Sequence, residues 1–224
     1  MDFYRRERTL RPGDCLEIGA GSGRLARALL NTGTTFALEP SDNMLKDWSD
    51  SDSKLALRVQ GFGEMLPFRD GSFQLVCFPY NGLQCVIDRD LRAEILREAF
   101  RVTAPGGIFI LEISPVFSRR DEEPLTERYR TMIPGGSELV LSEKVGRCGS
   151  TGNIMYEMFY TVKANGVCRE ERVALELASI EFDEMCDMIH RTGFGSFEYF
   201  GDYDLAEYDP ELSPRLLVKA KKGV

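Results

Sequence analysis

Residues 14–24 read Asp14-Cys15-Leu16-Glu17-Ile18-Gly19-Ala20-Gly21-Ser22-Gly23-Arg24, and the fold follows from how this stretch divides. Its first half is a short apolar run and its second half a glycine-rich turn. An apolar run of this length, stopped by glycine, has the pattern of a strand buried on both faces. Glycines let the backbone turn sharply and approach a ligand closely, and a helix starting just after them presents unpaired N–H groups. The spacing departs from the dinucleotide fingerprint G-x-G-x-x-G. Gly23 comes one residue early, and Arg24 stands where the last glycine should be. With the acidic Glu17 ahead of the turn, the pattern suits a ligand that carries an ammonium group and no pyrophosphate.

The flanking sequence alternates strand and helix. Residues Ser22–Asn31 carry Leu25 and Leu29 at i, i+4 and end near Gly33, which predicts a helix. Thr34–Glu39 reads as the next strand. Ser41–Trp48, opening on Ser and Asp, reads as a short capped helix. Leu55–Gln60 and Phe73–Phe78 are further strands. Asp88–Thr103 is the clearest helix, with Leu91, Ile95, Ala99 and Val102 on one face and Pro105-Gly106-Gly107 as its stop; Ile108–Ile113 is another buried strand. Such alternation means a mainly parallel sheet with helices on both faces.

The rhythm breaks after Ser114-Pro115. Arg119–Glu127 is charged, lacks apolar periodicity and reads as a loop or exposed helix. Leu139–Val145, Ile154–Ala164 and Val167–Leu177 then alternate in strand fashion, and Asn165-Gly166 is a hairpin signal. Glu181–Thr192 returns to helix with Gly193 as its cap. Phe197–Phe200 and Arg215–Ala220 close the chain as an antiparallel edge pair. This divides the chain into a cofactor-binding half (1–114), an inserted antiparallel lid or substrate subdomain (115–179) and a completion of the α/β core (180–224).

Composition bounds the function. At 224 residues, 43% hydrophobic and 29% charged, the chain is an ordinary globular one, not disordered or fibrous. A net charge of −8 gives no basic footprint for nucleic acid and fits a small or cationic ligand better. Cys15, Cys77, Cys85, Cys148, Cys168 and Cys186 form no C-x-x-C pair and read as reduced thiols. His190 is the only histidine and reads as structural, so no multi-histidine metal centre is expected. No apolar segment approaches the roughly 18 residues of a membrane helix. The charged start shows no secretory signal, so a cytoplasmic protein is expected.

Glu39 ends the second strand about where a ribose-binding acid belongs, and a carboxylate can accept hydrogen bonds from two vicinal hydroxyls. With the glycine turn this makes a nucleoside site. The chain here resembles the class I S-adenosylmethionine-dependent methyltransferases. CLEIGAGSGRL looks like their first motif and FALEPSDNML like the second. QGFGEMLPFRDGSFQLVCF resembles the segment leading into the fourth strand, and EAFRVTAPGGIFILEI the late helix, turn and fifth strand. These motifs span Cys15 to Ile113. The remainder is similar to the small-molecule N-methyltransferase branch.

The resemblance implies a Rossmann-like, mainly parallel seven-stranded sheet with a small antiparallel insert, and S-adenosylmethionine as cofactor. Glu17 would hold the methionine ammonium. Gly19, Ala20, Gly21 and Gly23 would line the methionine and ribose, and Glu39 would take the ribose hydroxyls. Pro40 and Met44 would pack on the adenine, Gly63 and Glu64 would meet its edge, and Phe78 would offer its carbonyl to the cofactor amine. Phe62 stands where the family often has Asp. The acceptor would be a small molecule, most simply an amine, met by Tyr80, Asn81 and Gln84 in the loop after the fourth strand. Tyr80 and Gln84 are the candidate catalytic residues, with Tyr156 and Tyr160 as lid residues. O-methylation, a NAD-dependent oxidoreductase and a non-catalytic cofactor-binding domain are the alternatives.

Overall fold

Glu17 and Glu39 lie side by side because the strands that carry them pair in parallel, Glu17 opposite Ala37 and Ile18 opposite Leu38. The computed structural model describes residues 1–30, 33–48, 56–115, 122–164 and 166–224. Over these the chain forms two compact units, one of residues 1–114 with 182–224, the other of residues 115–181.

In the first unit, α1 (Asp2–Thr9) precedes β1 (Cys15–Ile18), β2 (Thr35–Glu39), α2 (Asp42–Lys46), β3 (Leu57–Gln60), β4 (Phe73–Phe78), α3 (Arg89–Val102) and β5 (Thr103–Ile113). The sheet has seven strands, and the two that complete it come from the far end of the chain. With the strands of the second unit numbered β6 to β9, they are β10 (Ser196–Phe200) and β11 (Leu216–Lys221), preceded by α4 (Phe182–His190). The order is β10-β11-β5-β4-β1-β2-β3. β11 runs antiparallel between β5 and β10, while β1 to β5 are parallel.

The apolar strand runs are buried as their composition requires. Cys15, Leu75, Cys77, Ile108, Ile110 and Leu217 share one face and pack with Phe3, Tyr4, Leu25 and Leu29. On the other face lies α3, which buries Ile95, Leu96, Ala99 and Val102. Side chains alternate along a strand, so Ile18 points toward α3 and its neighbour Glu17 toward α1. Asp88 caps α3 by accepting from the Asp90 and Leu91 N–H groups, a contribution of about 1 kcal/mol. At its other end Lys222 Nζ donates to the Phe100 and Thr103 carbonyls, each at 2.8 Å.

The second unit is one antiparallel sheet of β6 (Glu122–Ile133), β7 (Ser137–Arg147), β8 (Ile154–Ala164) and β9 (Val167–Leu177) in sequential order. Val145, Ile154 and Leu177 form its buried cluster, with Tyr156 packed against it.

Two expectations are corrected. The helix expected over Ser22–Asn31 is, in its described part, a turn followed by a single 3₁₀ turn at Ala26–Leu29. Gly23 at φ +83° breaks the helical path at its start, and Leu30 is already extended. The segment Arg119–Glu127, read as loop or helix, contributes its residues from Glu122 onward to β6. That strand is almost wholly exposed and is held by cross-strand ion pairs such as Arg128–Glu143 at 2.8 Å, so it lacks the apolar alternation that marks a strand in sequence. Asn165 of the hairpin signal lies outside the described residues.

Candidate active site

The glycine turn is built by backbone and by one tryptophan. Gly19, Gly21 and Gly23 all have positive φ, +69°, +55° and +83°. Ala20 N–H donates to the Leu38 carbonyl and Gly23 N–H to that of Ala20, both at 2.9 Å. A side chain at Gly23 would occupy the space of the Trp48 ring, whose Nε1 donates to the Gly21 carbonyl at 2.9 Å. Gly21 differs: a Cβ there meets nothing within 4 Å. The tight glycine is fixed by the fold, and the open one leaves room for a ligand.

Glu39 sits at the end of β2 and is buried. Its Oε2 accepts from Gly21 N–H at 2.8 Å and its Oε1 from Ser41 N–H at 2.9 Å. Each oxygen therefore keeps a free lone pair in a fixed direction, which suits two adjacent hydroxyls. Glu17 is only 1% exposed, and its Oε2 has no partner among the described residues. Burial pushes its carboxyl up to about 8, against the lowering effects of the Ala26 main-chain N–H and of Arg24. A buried acid with an unmet oxygen calls for a donor from outside.

A cavity of about 390 Å³ opens beside this turn on the α3 side, within the usual range of roughly 300–1,000 Å³ for a small-molecule site. Gly19, Glu39, Pro40, Gly63, Glu64 and Phe78 line it, as does Tyr80. Glu17, Ala20, Gly21 and Gly23 belong to the strand and turn and do not line it. Met44, 47% exposed on α2, is not among the residues that line it. The apolar wall comes from Ile18, Leu38, Val86 and Ile95, with Phe62 and Cys85. Sequence reading took Phe62 only as a missing Asp, and Ile95 only as the core face of a helix.

Tyr80 and Asn81 follow β4 at φ +53° and +62°, two successive left-handed residues that are not glycine. Such strain concentrates at binding sites. The Arg24 guanidinium lies 4.1 Å over the Tyr80 ring, and the Tyr80 hydroxyl meets Met1 Sδ at 3.4 Å. Asn81 Oδ1 is buried with no partner among the described residues.

Gln84 is corrected as an acceptor-facing residue. It is fully buried, and its amide is engaged by Ser114, accepting from the main-chain N–H at 2.8 Å and donating to the carbonyl at 3.4 Å. It ties the loop after β4 to the end of β5. Gln84→Ala is expected to leave these main-chain groups unmet at a cost of about 1–3 kcal/mol. That lowers Tm by about 2–12 °C in a thermal melt, while affinity for the cofactor product stays within twofold. Tyr156 and Tyr160 lie on β8 of the second unit, where Tyr160 OH meets Met158 Sδ at 3.6 Å. Among the described residues no cluster of three or more His, Cys, Asp or Glu could hold a metal ion, and no helix is long and apolar enough to cross a membrane. All six cysteines are free.

Residues 16–111 match a family model described as a methyltransferase domain. The chain is 30% identical over 142 residues to the ubiquinone/menaquinone biosynthesis C-methyltransferase UbiE of Klebsiella pneumoniae, covering 57% of this chain and 53% of the relative. It is 37% identical over 120 residues to the UbiE of Legionella pneumophila, covering 48% and 46%. The chain thus spans about half the length of these relatives. In fold, it is similar to an S-adenosylmethionine-dependent methyltransferase from Clostridium acetobutylicum (TM-score 0.80, 14% identity, 100% and 90% of the two chains). It is also similar to CalS10, an amino pentose methyltransferase from Micromonospora echinaspora (TM-score 0.78, 17% identity, 99% and 87%).

The segment matched by that model ends just before Glu112 and contains Glu17, Glu39 and the whole of β4. Its buried Glu17 gives a pH signature. If a ligand ammonium meets Glu17, the bound carboxyl must ionise, so below about pH 8 binding releases a proton. Affinity for S-adenosylhomocysteine is expected to rise from pH 6 toward 8 by up to about tenfold per unit and then level off. Calorimetry in buffers of different ionisation heats measures the proton. Glu17→Gln should flatten the slope, and a slope of the opposite sign would refute the assignment.

Proposed function

We propose that the chain transfers a methyl group from S-adenosylmethionine to a small-molecule acceptor, with an amine nitrogen as the receiving atom. The observation that carries this reading is the pairing, on one glycine turn, of a buried Glu17 oxygen without a partner and a Glu39 carboxylate with both oxygens half satisfied. A zwitterionic amino acid joined to a ribose has the groups that answer both. Glu39 would take the two ribose hydroxyls, Glu17 the ammonium, and the apolar wall of Ile18, Leu38 and Ile95 the adenine ring. When bound, this cofactor supplies a methyl group already activated on a sulfonium. The protein then has chiefly to orient the acceptor, and proximity alone can be worth about 7–11 kcal/mol.

The net charge of −8 favours a cationic amine among small acceptors. The fold likeness to an amino pentose methyltransferase agrees with it. A second reading, methylation at carbon, is favoured by the names of the sequence relatives. Incubation with methyl-labelled S-adenosylmethionine and a metabolite extract, followed by mass spectrometry, distinguishes the two. A labelled amine supports the proposal, and a label on carbon or oxygen replaces the acceptor. Saturable binding of a nicotinamide dinucleotide without binding of S-adenosylhomocysteine would overturn the cofactor reading.

A further inference from the structure

Glu112 is a buried carboxylate at the carboxyl end of β5, 4% exposed, and the glycine turn does not use it. Three side chains from separate parts of the sequence converge on it. Tyr4 of α1 donates to Oε2 at 3.0 Å. Tyr203, in the loop between β10 and β11, donates at 2.9 Å to both oxygens. Arg215 donates to Oε1 at 3.1 Å, pairs with Asp202 at 2.9 Å, and lies 4.2 Å over the Tyr203 ring. Burying a carboxylate is costly unless it is paired, and the two phenols and the guanidinium supply that pairing.

The register puts Glu112 on the same face of the sheet as Glu17. Glu17 is opposite Cys77, Cys77 is opposite Ile110, and Glu112 is two residues beyond on the same face. Glu112 and Glu17 therefore share the α1 face of the sheet, on the two strands that flank β4, at the carboxyl ends where open α/β sheets bind ligands. Tyr80, which lines the cavity, packs on the same core cluster as Tyr203. The Tyr80 hydroxyl is close enough to feel the charges of Glu112, Glu17, Arg24 and Arg215. Burial and Glu112 push the Tyr203 phenol well above its ordinary value, so Tyr203 stays protonated and can pass a proton on only by receiving another.

We infer that Tyr203 and Glu112 form the proton-accepting pair for the methyl acceptor, Tyr203 meeting its X–H group and Glu112 holding the released proton. This rests on the methyl-transfer reading above. The X–H bonding pair stays on X and makes the new bond to carbon, while the carbon–sulfur pair returns to sulfur. The acceptor proton goes to Tyr203 Oη as Tyr203 hands its own to Glu112, which ends neutral. Tyr4 and Arg215 position the carboxylate from its other sides. The site is thereby suited to an acceptor that must shed a proton, such as an ammonium or a hydroxyl.

The test needs no acceptor. Sinefungin carries a second ammonium at the position of the methyl sulfonium, so it places a proton donor toward this pair; S-adenosylhomocysteine has a neutral thioether there. Calorimetry on the full chain should show sinefungin binding at least tenfold more tightly than S-adenosylhomocysteine. Tyr203→Phe and Glu112→Gln should each remove most of that preference while leaving S-adenosylhomocysteine within about twofold. Tyr203→Phe keeps the ring under Arg215, and decides the matter alone should Glu112→Gln fail to fold. A preference unchanged in Tyr203→Phe, its absence in the parent, or equal losses for both ligands would overturn the pair. Parent protein that binds neither ligand would overturn the cofactor reading as well.

Discussion

Gly23→Val is expected to lose both its nucleoside site and a large part of its stability. Gly23 sits at φ +83°, where a branched residue is strained by about 1–2 kcal/mol. Its new side chain would also fall within the Trp48 ring, and overpacking of this kind costs about 1–3 kcal/mol. The Trp48 ring must move, which releases the Gly21 carbonyl from Nε1 and with it the turn that presents Gly21 N–H to Glu39. The sum, about 2–5 kcal/mol, is a large share of a domain's roughly 5–15 kcal/mol. Thermal unfolding should show a drop of many degrees, and S-adenosylhomocysteine affinity should fall at least a hundredfold. Gly21→Val is the contrasting case: its side chain enters open space, so it should melt closer to the parent yet bind as poorly. Normal binding in Gly21→Val would show that this space is not the ligand's.

Glu39→Ala should have the next largest effect. Hydrogen bonds to a charged acceptor are worth about 1.5–3 kcal/mol, so S-adenosylhomocysteine affinity should weaken about 10- to 150-fold. Part of the effect is indirect, because the same carboxylate holds the N–H groups of Gly21 and Ser41 in place. The ribose share can be isolated with a 2′-deoxy analogue, which should lose much less affinity on the substitution than the parent ligand does. Equal losses for the two nucleosides would assign Glu39 to the turn alone.

The features legible in sequence are those whose partners are close along the chain or are dictated by pattern. The apolar runs of β1, β4 and β5 and the one-sided face of α3 mark the doubly covered sheet, and Gly19-x-Gly21-x-Gly23 marks the turn. What pattern cannot convey is the identity of distant partners. Leu25 and Leu29 at helical spacing suggest a helix, but they are buried by the sheet while Gly23 turns the chain against Trp48. Gln84 looks like an acceptor contact because a polar amide in a loop has no visible partner, and its partner is Ser114 main chain 30 residues on. The Glu112 cluster is invisible for the same reason, since Tyr4 and Tyr203 come from 108 and 91 residues away. β6 escapes notice because charge pairing, not apolar alternation, holds it.

The place of β11 bears on how this chain is made. Leu216–Lys221 is the last strand of this sheet to leave the ribosome, yet it fills an interior position, bonded to β5 on one side and β10 on the other. At about 5–20 residues per second, the flank of β5 waits several seconds for its partner, through synthesis of the whole antiparallel insert, whose own strands pair locally and need not wait. An unpaired strand edge is a template for another chain. Nascent chains arrested before Leu216 are therefore the species most prone to self-association, and a translational pause within 182–215 would lengthen their exposure.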